Sequence, residues 1–127
     1  MHFKNLFLSY EYLNDYNISK IVILLKASAP TGLIAVSVTP YSVYLTWTAP
    51  APANGGVSNY RMQFNWSSSS YSYYNEMYTG SNATAYNVTG LTACTTYSFA
   101  VSAYYFAGCE GLYSAALMNI TTTTNSE

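Results

Sequence analysis

Residues 91–103 read Leu91-Thr92-Ala93-Cys94-Thr95-Thr96-Tyr97-Ser98-Phe99-Ala100-Val101-Ser102-Ala103. From Tyr97 an inward set recurs at every second position through Phe99 and Val101 to Ala103, with Ser98, Ala100 and Ser102 between. Successive side chains of a pleated strand point to opposite faces, so a period of two means one buried face. The same alternation appears upstream in Val43, Leu45 and Trp47, and again in Tyr60, Met62 and Phe64. Leu33 to Val38 opens the series, Tyr73 to Thr79 reads as an edge strand, Tyr86 and Val88 mark another, and Met118 and Ile120 mark the last. Turn residues separate these runs: Pro50, Pro52, Asn54, Gly55 and Gly56 in one cluster, and the serines from Ser67 to Ser70 in a second. No helical period interrupts them, and short strands at near-regular spacing specify an all-β sandwich or barrel.

Composition narrows the function. The chain has 127 residues, about one domain, with 15 Tyr, 17% aromatic and only 7% charged residues, against roughly 25% charged in an ordinary soluble domain. A net charge of −1 supplies no basic field for phosphate backbones, so nucleic acid is not an expected partner. Aromatic richness with little net charge also argues against disorder. The charges divide the chain: Lys4, Glu11, Asp15, Lys20 and Lys26 fall near the start, and from Ala27 onward only Arg61, Glu76, Glu110 and Glu127 remain. Residues 1–29 read as an irregular N-terminal extension. Ala27-Ser28-Ala29 has a small-x-small cleavage pattern and Lys4 an early positive charge, but Glu11 and Asp15 fit a secretory signal poorly. The apolar run Ile21 to Leu25 is far short of the roughly 20 residues of a membrane span.

From Pro30 the residues resemble the fibronectin type III domain. The resemblance rests on Pro30 and Leu33, then Val43, Leu45 and Trp47 followed by Pro50, then Tyr60, then Val88, Gly90 and Leu91. Tyr97 follows, and the stretch from Ala103 to Gly108 with Ser114 leads into the closing strand. It covers about residues 29–124, which sets a domain at 30–124 and a tail at 125–127. It implies an all-β, seven-stranded antiparallel two-sheet sandwich of immunoglobulin-like form. It further implies a non-catalytic module that binds proteins in tandem arrays, with no cofactor.

Physical reasoning assigns Trp47, Leu91 and Tyr97 to the structure. Trp47 supplies a large apolar body between sheets about 10 Å apart, and Tyr97 suits a tyrosine corner, its hydroxyl bonding back to nearby backbone. Cys94 precedes the Tyr97 strand and Cys109 follows it. That strand spans roughly 30 Å at about 3.3 Å per residue, whereas bridged Cα atoms lie within about 7 Å. No Cys94–Cys109 disulfide is expected, and two isolated thiols without a nearby His make no metal site.

The tyrosines supply the candidate contact surface. Tyr71, Tyr73, Tyr74 and Tyr78 follow the serine run, and Tyr104 and Tyr105 approach the next loop, so neighbouring strands would join them in one protein-binding patch. Tyr60 and Tyr86 are expected to face inward. The loop that carries an integrin-binding Arg-Gly-Asp triplet in some relatives reads Phe106-Ala107-Gly108-Cys109-Glu110-Gly111 here. Sequons begin at Asn17, Asn65, Asn82, Asn87 and Asn119. Those at Asn65, Asn87 and Asn119 are expected on outward strand faces and Asn82 in a turn, as candidate N-glycosylation sites.

Catalysis fails on inventory: the one His is His2, and Glu76 and Glu110 are expected on separate loops or edges rather than facing one site. The reading is therefore an extracellular or cell-surface module of adhesion or receptor recognition, spacing neighbouring domains in a larger protein. The alternatives are an accessory spacer of a secreted enzyme such as a glycoside hydrolase, or an intracellular structural repeat.

Overall fold

A computed structural model describes residues 6–12, 18–25, 28–51, 56–67, 70–106 and 108–125. The described strands are β1 (Leu6–Tyr12), β2 (Ile18–Leu25), β3 (Thr31–Val38), β4 (Val43–Thr48), β5 (Val57–Ser67), β6 (Ser72–Tyr78), β7 (Ala85–Val88), β8 (Thr96–Tyr105) and β9 (Leu117–Thr121). No helix occurs among the described residues.

Strands β3 to β9 make the seven-stranded sandwich. One sheet has the order β3-β4-β7 and the other β6-β5-β8-β9, with all neighbours antiparallel. Alternation builds the interior. Val43, Leu45 and Trp47 of β4 face Tyr60, Met62 and Phe64 of β5 and Tyr97, Phe99, Val101 and Ala103 of β8 across the core, which Leu33, Val88 and Leu91 complete. Trp47 meets Tyr60 edge-on at 5.1 Å between ring centroids, a favoured aromatic geometry. Burying each large apolar side chain contributes about 1.5–3 kcal/mol.

The tyrosine corner forms. Tyr97 Oη accepts a hydrogen bond from the Thr92 backbone N–H at 2.9 Å. The same peptide segment is held from the other side by buried Thr122, whose hydroxyl donates to the Thr92 carbonyl at 2.6 Å and accepts from the Thr95 N–H at 2.9 Å. Gly90, just before buried Leu91, has φ +73°, a conformation that favours glycine. Between β8 and β9 the register slips after Tyr97, where Asn119 takes φ +62° in a bulge; Asn tolerates that region better than most residues.

The start of the chain departs from expectation. Where an irregular extension was anticipated, β1 and β2 pair antiparallel, with Leu6 opposite Leu25 and Glu11 opposite Lys20, as a two-stranded sheet of their own. The β-branched run from Ile21 to Ile23 suits a strand as well as it suits a signal core, which is why hydrophobicity alone misread it. Lys4, Asp15, Asn17, Lys26 and Ala27, on which the signal and one sequon reading partly rest, lie outside the described residues.

Candidate functional site

The outward face of the β6-β5-β8 sheet gathers every charged side chain described in the sandwich. Register explains how. Arg61 of β5 sits opposite Tyr78 of β6 and Ser102 of β8, while Gln63 sits opposite Glu76 and Ala100. These positions have the opposite parity to Tyr60, Met62 and Phe64, so they point away from the core.

Arg61 uses its fork to join two carboxylates. One guanidinium nitrogen lies 2.6 Å from Glu76 Oε1 and the other 2.8 Å from Glu110 Oε1. Glu76 Oε2 accepts from the hydroxyls of Tyr74 and of Tyr113, the latter at 2.8 Å. Glu110 Oε2 accepts from Ser102 Oγ at 2.9 Å. Arg61 also lies over the Tyr78 ring, 5.6 Å from its centroid, and Tyr78 meets Tyr104 edge-on at 5.6 Å. Glu76 and Glu110 do come from different elements, as expected, but they converge on one cation. The Tyr74 hydroxyl first, then that of Tyr113, with Arg61 adding, holds the Glu76 carboxyl below the usual carboxylate range against the opposing effect of desolvation. A carboxylate held ionised is poorly suited to act as a general acid. Burial, and then the bond to Glu76, pushes the Tyr113 phenol well above the ordinary tyrosine range.

The six tyrosines expected in one patch divide three ways. Tyr74, Tyr78 and Tyr104 share the outward face just described, with Tyr74 59% and Tyr78 49% exposed. Tyr73 has the other parity: it stacks on Trp66 at 4.7 Å and approaches Tyr71 at 6.1 Å. Tyr105 is a correction, because at 3% exposure it belongs to the core. Its parity with Tyr97 turns it inward, and the loop packs over it, with a Cβ built at Gly111 lying 3.5 Å from its ring. Tyr113 was missed, since it lies in no strand and only the fold brings it beside Glu76. Tyr60 faces inward as expected, and Tyr86 is half-buried against the core.

Asn82, Asn87 and Asn119 are exposed. Asn65 is half-buried, and its side-chain oxygen accepts from Ser98 Oγ at 2.6 Å. It shares a shallow groove with Trp66, Thr96, Tyr97 and Asn119. Cys94 and Cys109 are exposed free thiols on either side of the ten-residue strand β8. Among the described residues no three His, Cys, Asp or Glu side chains cluster as metal ligands, and no helix is long and apolar enough to cross a membrane.

A two-sheet sandwich with a tyrosine corner and a polar, aromatic outer face defines an immunoglobulin-like module. Residues 28–117 match the family model of the fibronectin type III domain, and the chain belongs to that family. Modules of this family are in general non-catalytic. The chain is 37% identical over 99 residues to chitinase Chi52 of Paenibacillus xylanexedens, covering 78% of this chain and 16% of the chitinase. It is 40% identical over 99 residues to exoglucanase B of Cellulomonas fimi, covering 76% of this chain and 8% of that enzyme. The chain thus spans a small part of the curated relatives it matches. Among solved structures, the third fibronectin III domain of human KIAA0343 protein superposes with a TM-score of 0.71 at 19% identity, over 92% of this chain and 97% of that one, a likeness of fold.

Proposed function

We propose that the chain is a non-catalytic spacer and contact module of an extracellular polysaccharide-degrading enzyme. The observation that carries the spacer role is where the backbone enters and leaves. Thr31 begins β3 at one end of the sandwich, while the Thr123 N–H donates to the Thr39 carbonyl just past the other end of β3. Eight strand residues separate these points by about 25 Å. A rigid body with opposed attachment points holds its neighbours apart, whereas one with adjacent ends folds them back.

The likeness to a chitinase and an exoglucanase, in each of which the similar stretch is a small share, supports the enzyme context over adhesion. Chitin and glucan are polymers that do not enter cells, which favours an outside location. A surface with few charges would gain hydration from glycans at Asn82, Asn87 and Asn119 in a host that adds them. Adhesion or receptor recognition remains the second reading, favoured by the outward Tyr74, Tyr78 and Tyr104.

Sequencing of the reading frame on both sides tests the proposal. A glycoside hydrolase domain is expected; an array of similar sandwiches ending in a membrane span refutes it in favour of adhesion. The purified chain incubated with chitin and glucan should release no reducing sugar.

A further inference from the structure

We propose that the outward face of β6, β5 and β8 binds a neutral polysaccharide chain, with Tyr74 and Tyr78 as the stacking rings. This rests on the reading of the chain as part of a polysaccharide-degrading enzyme, but the residues supply the argument. Tyr74 and Tyr78 lie four residues apart on an edge strand, on the same face. Their Cα atoms are therefore about 13 Å apart, far enough to meet separate sugar rings of one chain. Each presents an exposed aromatic body.

The rings are positioned before any ligand arrives. Tyr74 is tied through its hydroxyl to Glu76, and Tyr78 is held between Arg61 and Tyr104. Fixing these rotamers in advance lowers the ordering cost of binding. The polar groups of the same face choose the ligand. Arg61 is occupied by both carboxylates, both oxygens of Glu76 and of Glu110 already have partners, and no other charged side chain is described in the sandwich. One arginine against two carboxylates leaves this face a residual charge of −1, with every carboxylate oxygen already hydrogen-bonded. It therefore repels a phosphate backbone and offers only a weak, salt-screened attraction to a cationic surface. What it presents is ring faces, tyrosine hydroxyls and the outward Gln63 amide, matching the apolar faces and hydroxyls of an uncharged sugar polymer. Ala100, opposite Gln63, carries only a methyl group at the middle of the face.

The test is retention of the purified 127-residue chain on insoluble chitin and on microcrystalline cellulose, at low and high salt. Retention on at least one polymer, unaffected by salt, is expected. The double variant Tyr74→Ala/Tyr78→Ala should bind at least about tenfold more weakly, equivalent to ~1.4 kcal/mol. Because it also loses the contacts to Glu76, Arg61 and Tyr104 it should melt lower than the parent, so binding is compared at a temperature where circular dichroism shows both fully folded. Tyr71→Ala, just before β6 and beside the Tyr73 ring rather than Tyr74 or Tyr78, should bind as the parent does. Absence of retention on both polymers overturns the inference. So does loss of binding in Tyr71→Ala with none in the double variant, which moves the site to the Trp66–Tyr73 edge. Binding abolished by high salt also overturns it, since it would be charge-driven. The outcomes separate from those of the reading beneath it: a neighbouring hydrolase domain with no retention fails only this inference, and retention without such a domain fails only the enzyme context.

Discussion

Replacing Tyr97 by Phe removes one oxygen and leaves the ring. The lost atom is the acceptor of the Thr92 N–H at 2.9 Å, in a half-buried turn where Thr122 already takes the Thr92 carbonyl. Because this bond is only part-buried and water can reach the freed N–H, losing it costs about 1 kcal/mol, and each kcal/mol lowers the melting temperature by roughly 4–8 °C in a domain of this size. The ring contacts with Trp66 at 5.4 Å, Phe99 at 6.1 Å and Phe64 at 6.2 Å should persist, so the denaturant dependence should keep its slope while the midpoint falls. Urea unfolding followed by tryptophan fluorescence measures both. Thr122→Val supplies the second arm of a double-mutant cycle. Because both hydroxyls hold the same turn, the two losses should couple rather than add. A Tyr97→Phe change within about 0.5 kcal/mol, the range of an ordinary surface substitution, refutes the view that this bond fixes the crossover between sheets.

Acid should act through Glu76. Its folded-state pKa lies below that of the unfolded chain, so its contribution is present above the unfolded value and is lost as pH falls through the folded one. Stability measured downward from about pH 4.3 should decline less steeply in Glu76→Gln than in the parent; equal slopes count against the network. Leu45, fully buried between the sheets, should cost about 2–5 kcal/mol when cut to Ala, read from the shift in urea midpoint. Secreted from a glycosylating host, the chain should carry glycan on Asn82, Asn87 and Asn119 and less on half-buried Asn65, mapped by peptide mass. Full occupancy of Asn65 with none at Asn82 would contradict the exposures.

The strands were legible because alternation is local. Val43-Leu45-Trp47 and Tyr97-Phe99-Val101 each announce a buried face without reference to anything distant, and Tyr97 with Leu91 announces the corner. The contact surface was only half legible. Parity counted from Tyr97 would have put Tyr105 inside, and parity along β6 would have parted Tyr73 from Tyr74, so those errors lay in the reading rather than in the sequence. The hairpin of β1 and β2 was obscured because a short apolar run has several structural uses.

By itself, then, the sequence determined the class of fold, the composition of the core, the scarcity of charge and the absence of an ordinary acid-base inventory in residues 30–124. Only the tertiary structure decided that Arg61, Glu76 and Glu110, separated by 15 and 49 residues from the arginine, would meet. It also decided that Tyr113 would join them, and that the backbone would enter and leave at opposite ends. The physical reason is that burial follows a period carried by neighbouring residues, whereas convergence depends on the register of β6 and β8 against β5, which no single segment encodes.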